Sequence, residues 1–141
     1  FTSPERLVQV GIRSGTAEEF QWMKEHDTLI HSTQDLPNAL KKLENRPVFL
    51  TIDLDVLDPS IFPGTGTPEP GGLSFQEFTQ WLQCFKHLNF VGADVVELAP
   101  HYDTSGVSTI TAAKVIREVL TLSLLGLRLT EQDLPELVDV R

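Results

Sequence analysis

The feature that most limits what this chain can become is a short apolar run that ends in acids. Val48-Phe49-Leu50-Thr51-Ile52 leads into Asp53 and Asp55, with Leu54 between them and Asp58 just before Pro59. Pro47 precedes the run and a loop dense in Pro, Gly and Thr follows it, so the pattern predicts a strand. Residues i and i+2 of a strand share a face. Asp53 and Asp55 are therefore expected side by side, with Ile52 and Leu54 directed at the opposite layer. Two carboxylates held together repel, and burying them without a partner costs free energy or raises their pKa values. A bound divalent cation removes that penalty, and all-oxygen ligation suits hard metals such as Mn, Mg or Ca. By spacing alone the same pattern also describes the solvent face of an edge strand, and both readings stand at this point.

The rest of the chain alternates strand and helix signals. Leu7 to Ile12 predicts a short buried strand. Thr16 with Glu19 forms a capping-box pattern that opens a helix with Phe20 and Met23 on one face. Thr28 to His31 reads as a weak strand or loop. Pro37 suits a first helical turn, and Ala39, Leu40 and Leu43 carry that helix to about Asn45. After the central run, Asp58 to Gly72 is a loop too long for a plain strand-to-helix connection, and loops of that length often carry function. Ser74 with Glu77 is a second capping box, and Phe75, Phe78, Leu82 and Phe85 give its helix an apolar stripe beside Trp81. Phe90 to Leu98 is the next strand, His101 to Gly106 a loop, and Val107 to about Leu125 a long helix. Residues 130–141 read as a tail or an interface segment. Alternation of this kind implies βαβ units and an α/β fold with a parallel sheet. Ligands bind at the carboxyl ends of strands in such sheets. Asp53, Asp55 and Glu97 all lie near strand ends and can converge in one crevice.

Composition narrows the function. At 141 residues the chain is one domain or part of one, and a net charge of −9 argues against a nucleic-acid binder. It suits a cationic partner through long-range steering. The single cysteine, Cys84, excludes an internal disulfide and fits a reducing cytoplasm. No apolar run approaches membrane-spanning length and no signal peptide is visible. There is no Gly-x-Ser-x-Gly elbow and no phosphate-binding glycine loop.

Thr51-Ile52-Asp53-Leu54-Asp55, then Pro59, Pro63-Gly64 and Gly72, resembles the third signature of the ureohydrolases, the arginase, agmatinase and formiminoglutamase enzymes. Gly64-Thr65-Gly66-Thr67-Pro68, Gly92-Ala93-Asp94-Val95-Val96-Glu97-Leu98-Ala99-Pro100 and Val8-Gln9-Val10-Gly11-Ile12-Arg13 look most like agmatinases. The resemblance implies a three-layer α/β/α architecture with a mostly parallel sheet. It also implies two Mn²⁺ ions that share a bridging hydroxide, which attacks the guanidinium carbon so that urea and an amine leave. By position in the motif Asp53 and Asp55 match metal ligands. Glu97 matches the acid that binds the substrate guanidinium, a planar cation that pairs well with a carboxylate, and Thr67 matches a threonine that orients that acid. Asp58 is expected to shape the loop, since an Asp before Pro commonly starts a turn. Tyr102-Asp103 resembles a loop beside the pocket. His26, His31, His87 and His101 match no ligand position.

The chain opens at Phe1, its only methionine is Met23, and the two histidine-containing signatures of the family are absent. The expectation is the carboxyl-terminal part of a single ureohydrolase domain, with the remaining ligands and the catalytic histidine supplied upstream and the isolated chain inactive. The complete protein is expected to be a cytoplasmic homo-oligomer, a trimer or hexamer, acting on agmatine to give putrescine and urea. Arginase, guanidinobutyrase, formiminoglutamase and a non-catalytic remnant of the fold are the alternatives.

Overall fold

A computed structural model describes residues 3–126; the acidic segment 130–141 lies outside the described residues. The elements in order are β1 (Gln9–Val10), α1 (Ala17–Glu25), β2 (Leu29–Ile30), α2 (Leu36–Leu40), β3 (Pro47–Asp53), α3 (Phe75–Cys84), β4 (Asn89–Val96) and α4 (Val107–Gly126). Short 3-10 turns lie between them, at Lys41–Leu43, Leu54–Val56 and Pro100–Tyr102 among others.

Both capping boxes form. The Glu19 backbone N–H donates to the Thr16 hydroxyl while Glu19 accepts from the Thr16 N–H, and Ser74 and Glu77 repeat the exchange at the start of α3. Each pair satisfies two helix donors that would otherwise face only water. The helix begun by Pro37 is shorter than the pattern suggests. It tightens after Leu40 into the 3-10 turn Lys41–Leu43 and ends before Asn45, whose φ is +59°. Leu40 and Leu43, three apart, stay buried through that change, which suits a three-residue repeat.

The strands pair in parallel, but in two separate pieces. β1 pairs with β2, and β3 pairs with β4 from Pro47↔Asn89 to Asp53↔Val96. The first strand is much shorter than the Leu7–Ile12 signal, because Gly11 turns the backbone to φ +74°. Along β3–β4 the register slips once, between Val48↔Phe90 and Phe49↔Gly92, which leaves Val91 as a bulge. Phe49 lies over Gly92, where a Cβ would come 2.9 Å from its ring.

The core sits on one side of β3–β4. Val48, Leu50 and Ile52 face it, and Leu54, Leu57, Phe62, Phe78, Trp81, Leu82, Ala112, Val115 and Val119 fill it. The opposite face is open: Phe49 is 61% and Val91 65% exposed. Apolar side chains also remain exposed on α4, Ile110 at 72% and Leu120 at 58%. Parallel strands normally have both faces covered, so the second helical layer that the architecture calls for is not built by the described residues. Among those residues no helix is long and apolar enough to cross a membrane.

Candidate active site

β3 ends at Asp53, and the chain at once tightens into the 3-10 turn Leu54–Val56 that carries Asp55. The two acids are therefore not neighbours on a pleat, as the strand reading requires. They are brought together by a cap, in which the Asp55 N–H donates to Asp53 Oδ1 at 3.2 Å. The alternation of burial survives the change: Ile52 and Leu54 are buried on the core side, 7% and 1% exposed. Partial burial raises the Asp53 carboxyl above its ordinary value of 3.8, and the charges of Asp55 and Glu97 push it further up. The acids thus act on one another, and the ion pairs found among the described residues, Lys114–Glu118 and Arg117–Glu118, are both on α4.

The loop Asp58–Gly72 is closed at its base and pinned at its middle. Asp58 N–H donates to the Leu73 carbonyl and Leu73 N–H to the Val56 carbonyl, both at 2.9 Å. Gly72 is required at this closure, since a Cβ there would come 2.5 Å from the backbone of Leu57 and Asp58. The Asp58 carboxylate accepts from the Ser60 N–H at 2.9 Å and the Gly71 N–H at 2.8 Å. Hydrogen bonding from Ser60 and then Gly71 lowers its pKa to about 2. Asp58 shapes the loop, as its place before Pro59 predicts. Further along, Gly64 N–H donates to Ser108 Oγ at 2.8 Å, and the Ala99 N–H donates to the Gly64 carbonyl at 2.7 Å. The loop is tied in this way to the segment after β4 and to the start of α4.

That tie brings Glu97 to the loop: a Cβ on Gly66 would lie 3.9 Å from Glu97 Oε2. Glu97 stands just past the end of β4 with φ +66°. Among the described residues the other non-glycine positions with positive φ are Asp27 and Asn45, types that tolerate the left-handed region. Glutamate does not share that tolerance, so Glu97 is the strained one.

Thr67 departs from its expected contact. Its hydroxyl donates to Asp55 Oδ2 at 2.9 Å, so it orients a metal-ligand candidate rather than Glu97. Asp103, in the stretch that resembles a loop beside the pocket, serves the start of α4. It is buried and accepts from the Ser105 hydroxyl and the Ser108 N–H, which pushes its pKa well down and leaves it capping α4. Tyr102 is exposed and rests on His101. His26 stacks on Trp22 and its Nδ1–H donates to the Trp22 carbonyl at 2.8 Å.

Arg13 is the residue that the sequence pattern passed over. Its guanidinium donates to the carbonyls of Asp55 (2.6 Å), Val56 (3.0 Å) and Glu69 (3.2 Å). Its signals are a cation just beyond a strand end and its place in Val8-Gln9-Val10-Gly11-Ile12-Arg13, the stretch that looks most like agmatinases.

Two adjacent carboxylates that repel one another are a suitable hard-oxygen donor set for a divalent ion. They are half of a site at most, since among the described residues no group of three or more His, Cys, Asp or Glu is placed to hold a metal. The family profile described as Arginase family matches residues 1–122. The chain belongs to the arginase family. It is 45% identical over 122 residues to an agmatinase of Bacillus anthracis, a match covering 83% of this chain and 42% of the relative. The solved proclavaminate amidino hydrolase of Streptomyces clavuligerus superposes with a TM-score of 0.76 at 32% identity, over 87% of this chain and 44% of that one. The arginase of Bacillus caldovelox superposes with a TM-score of 0.68 at 29% identity, over 90% of this chain and 45% of that one. The chain thus spans less than half the length of these arginase-family relatives. Its parallel strands and flanking helices are a partial α/β domain of that fold.

Proposed function

We propose that this chain carries one side of the active site of a manganese-dependent ureohydrolase that cleaves agmatine to putrescine and urea. The observation that carries the reading is Glu97: an acid held at φ +66° beside Asp53 and the Gly66 turn. Backbone strain of this kind is retained where the surrounding structure needs the side chain in one place. Asp53 and Asp55 hold metal, Thr67 fixes the direction of Asp55, and Glu97 pairs with the substrate guanidinium through two parallel N–H···O bonds. Bound Mn²⁺ supplies Lewis acidity and lowers the pKa of water at the site. The proton-transfer residue and the remaining ligands belong to the part of the relatives' length that this chain does not span. A cytoplasmic location and a trimeric or hexameric assembly belong to the same proposal.

Agmatine is favoured because the B. anthracis relative is named an agmatinase. A second amidinohydrolase substrate is the alternative, favoured by the fit to the proclavaminate enzyme. The test is urea release from agmatine, arginine and guanidinobutyrate, with Mn²⁺, by the family-length protein that contains this chain. Agmatine is expected to be the best substrate. Glu97→Gln is expected to lower kcat/KM on the order of a hundredfold, as for truncating one partner of a desolvated charge pair. An unchanged kcat/KM in Glu97→Gln, or urea release by the isolated 141-residue chain, would refute the division of labour stated here.

A further inference from the structure

The structure assigns Arg13 as a positioning residue that holds the Asp55 turn in its ligating geometry. This rests on the metal-ligand reading of Asp55 above. The three carbonyls that its guanidinium binds are not scattered. Asp55 and Val56 belong to the 3-10 turn itself, and Glu69 lies on the returning arm of the loop. The Val56 carbonyl is shared: it also accepts from the Leu73 N–H that closes the loop base. Arg13 therefore joins the ligand turn, the loop base and the far arm through one planar group.

The approach to this position is built. Gly11 holds φ +74°, and a Cβ there would come 2.4 Å from Val56 Cγ2, so the end of β1 presses directly on the turn. Ser14, the next residue, donates its hydroxyl to Glu69 Oε2 at 2.5 Å and ties the same arm a second time. Arg13 Nε is buried and has no hydrogen-bond partner. A merely convenient surface arginine would leave that N–H in water, whereas here its desolvation is accepted in order to place the fork. The guanidinium faces the carbonyls of the turn and the loop rather than a carboxylate. Arg13 thus works through geometry, by fixing the backbone from which the Asp55 carboxylate projects toward Thr67. Lysine cannot replace it, because one ammonium does not span three carbonyls with the arginine fork.

The experiment makes Arg13→Gln, Arg13→Lys and Asp55→Asn in the same family-length protein used for the activity test and compares each with its parent. Two quantities are read: amide hydrogen exchange at Asp58 and Leu73 without metal, and Mn²⁺ affinity from the paramagnetic resonance signal of free Mn²⁺. Exchange in α3 and α4 reports whether each variant has folded. Arg13→Gln is expected to speed exchange at both amides about tenfold, the loss of a charge-assisted bond. It is expected to weaken Mn²⁺ binding about tenfold, as for other outer-shell partners, with Arg13→Lys in between. Unchanged exchange at Asp58 and Leu73 would overturn the proposal. So would faster exchange with Mn²⁺ affinity intact, provided that Asp55→Asn lowers it, because Arg13 would then only close the loop. If Asp55→Asn itself leaves Mn²⁺ affinity unchanged, the metal-ligand reading falls and this proposal falls with it.

Discussion

Replacing Glu97 with asparagine separates the strain at this position from its use. Glu97 has φ +66°, and a side chain other than glycine in that region costs about 1–2 kcal/mol. Asparagine visits the left-handed region more readily, because its short amide can bond locally, and it should recover about 0.5–1 kcal/mol of that cost. Loss of the charge also removes repulsion with Asp53, worth a few tenths of a kcal/mol between water-facing groups. The side chain is exposed, so little packing is lost. The expected sum is a stabilisation of about 1 kcal/mol, or roughly 3 °C in Tm for a domain of this size. Thermal melts of the metal-free chain near neutral pH read it directly. Glu97→Ala serves as the control: it removes the charge but keeps the strained backbone, so it should gain only a few tenths. Glu97→Gly should fall below asparagine, because glycine frees the unfolded chain. If Glu97→Asn melts lower than the parent, the glutamate side chain itself is holding the turn, and the argument from strain to function fails.

Two further outcomes follow from the same geometry. Folding raises the Asp53 carboxyl above 3.8, so the folded chain keeps this proton to higher pH than the unfolded one. The Asp53 contribution to metal-free stability, read as parent minus Asp53→Asn, is therefore expected to be greatest below that value and to fall as pH rises through the raised one, with added Mn²⁺ reversing the loss; a difference that climbs across this range would contradict it, while the lowered Asp58 and Asp103 carboxyls act in the opposite direction in both proteins. Ser108→Ala removes the acceptor of the buried Gly64 N–H and should cost about 1–3 kcal/mol, seen in urea titrations as a lower midpoint at unchanged slope.

Much of this protein was legible in its residues because the signals are local. The two capping boxes need only a hydroxyl and a glutamate three apart, and both formed as written. Strand and helix alternation follows from periodicity, and Asp58 before Pro59 makes a turn whatever surrounds it. The family membership was legible too, through a motif long enough to exclude coincidence, and strand ends predicted the nearness of Asp53, Asp55 and Glu97. What the residues could not disclose depends on segments distant in the chain. Asp53 and Asp55 meet through a 3-10 turn because the strand stops at Asp53, not through a pleat. Thr67 bonds Asp55, and Asp103 is drawn off to cap α4 because Ser108 waits there for it. Arg13 reaches Glu69 across 56 positions, a distance over which no spacing rule operates. Hydrogen-bond partners of that kind are chosen by packing, where a buried donor takes whichever acceptor the fold delivers. Local pattern therefore decided where the acids, caps and turns stand along the chain, and tertiary contact alone decided which of them touch.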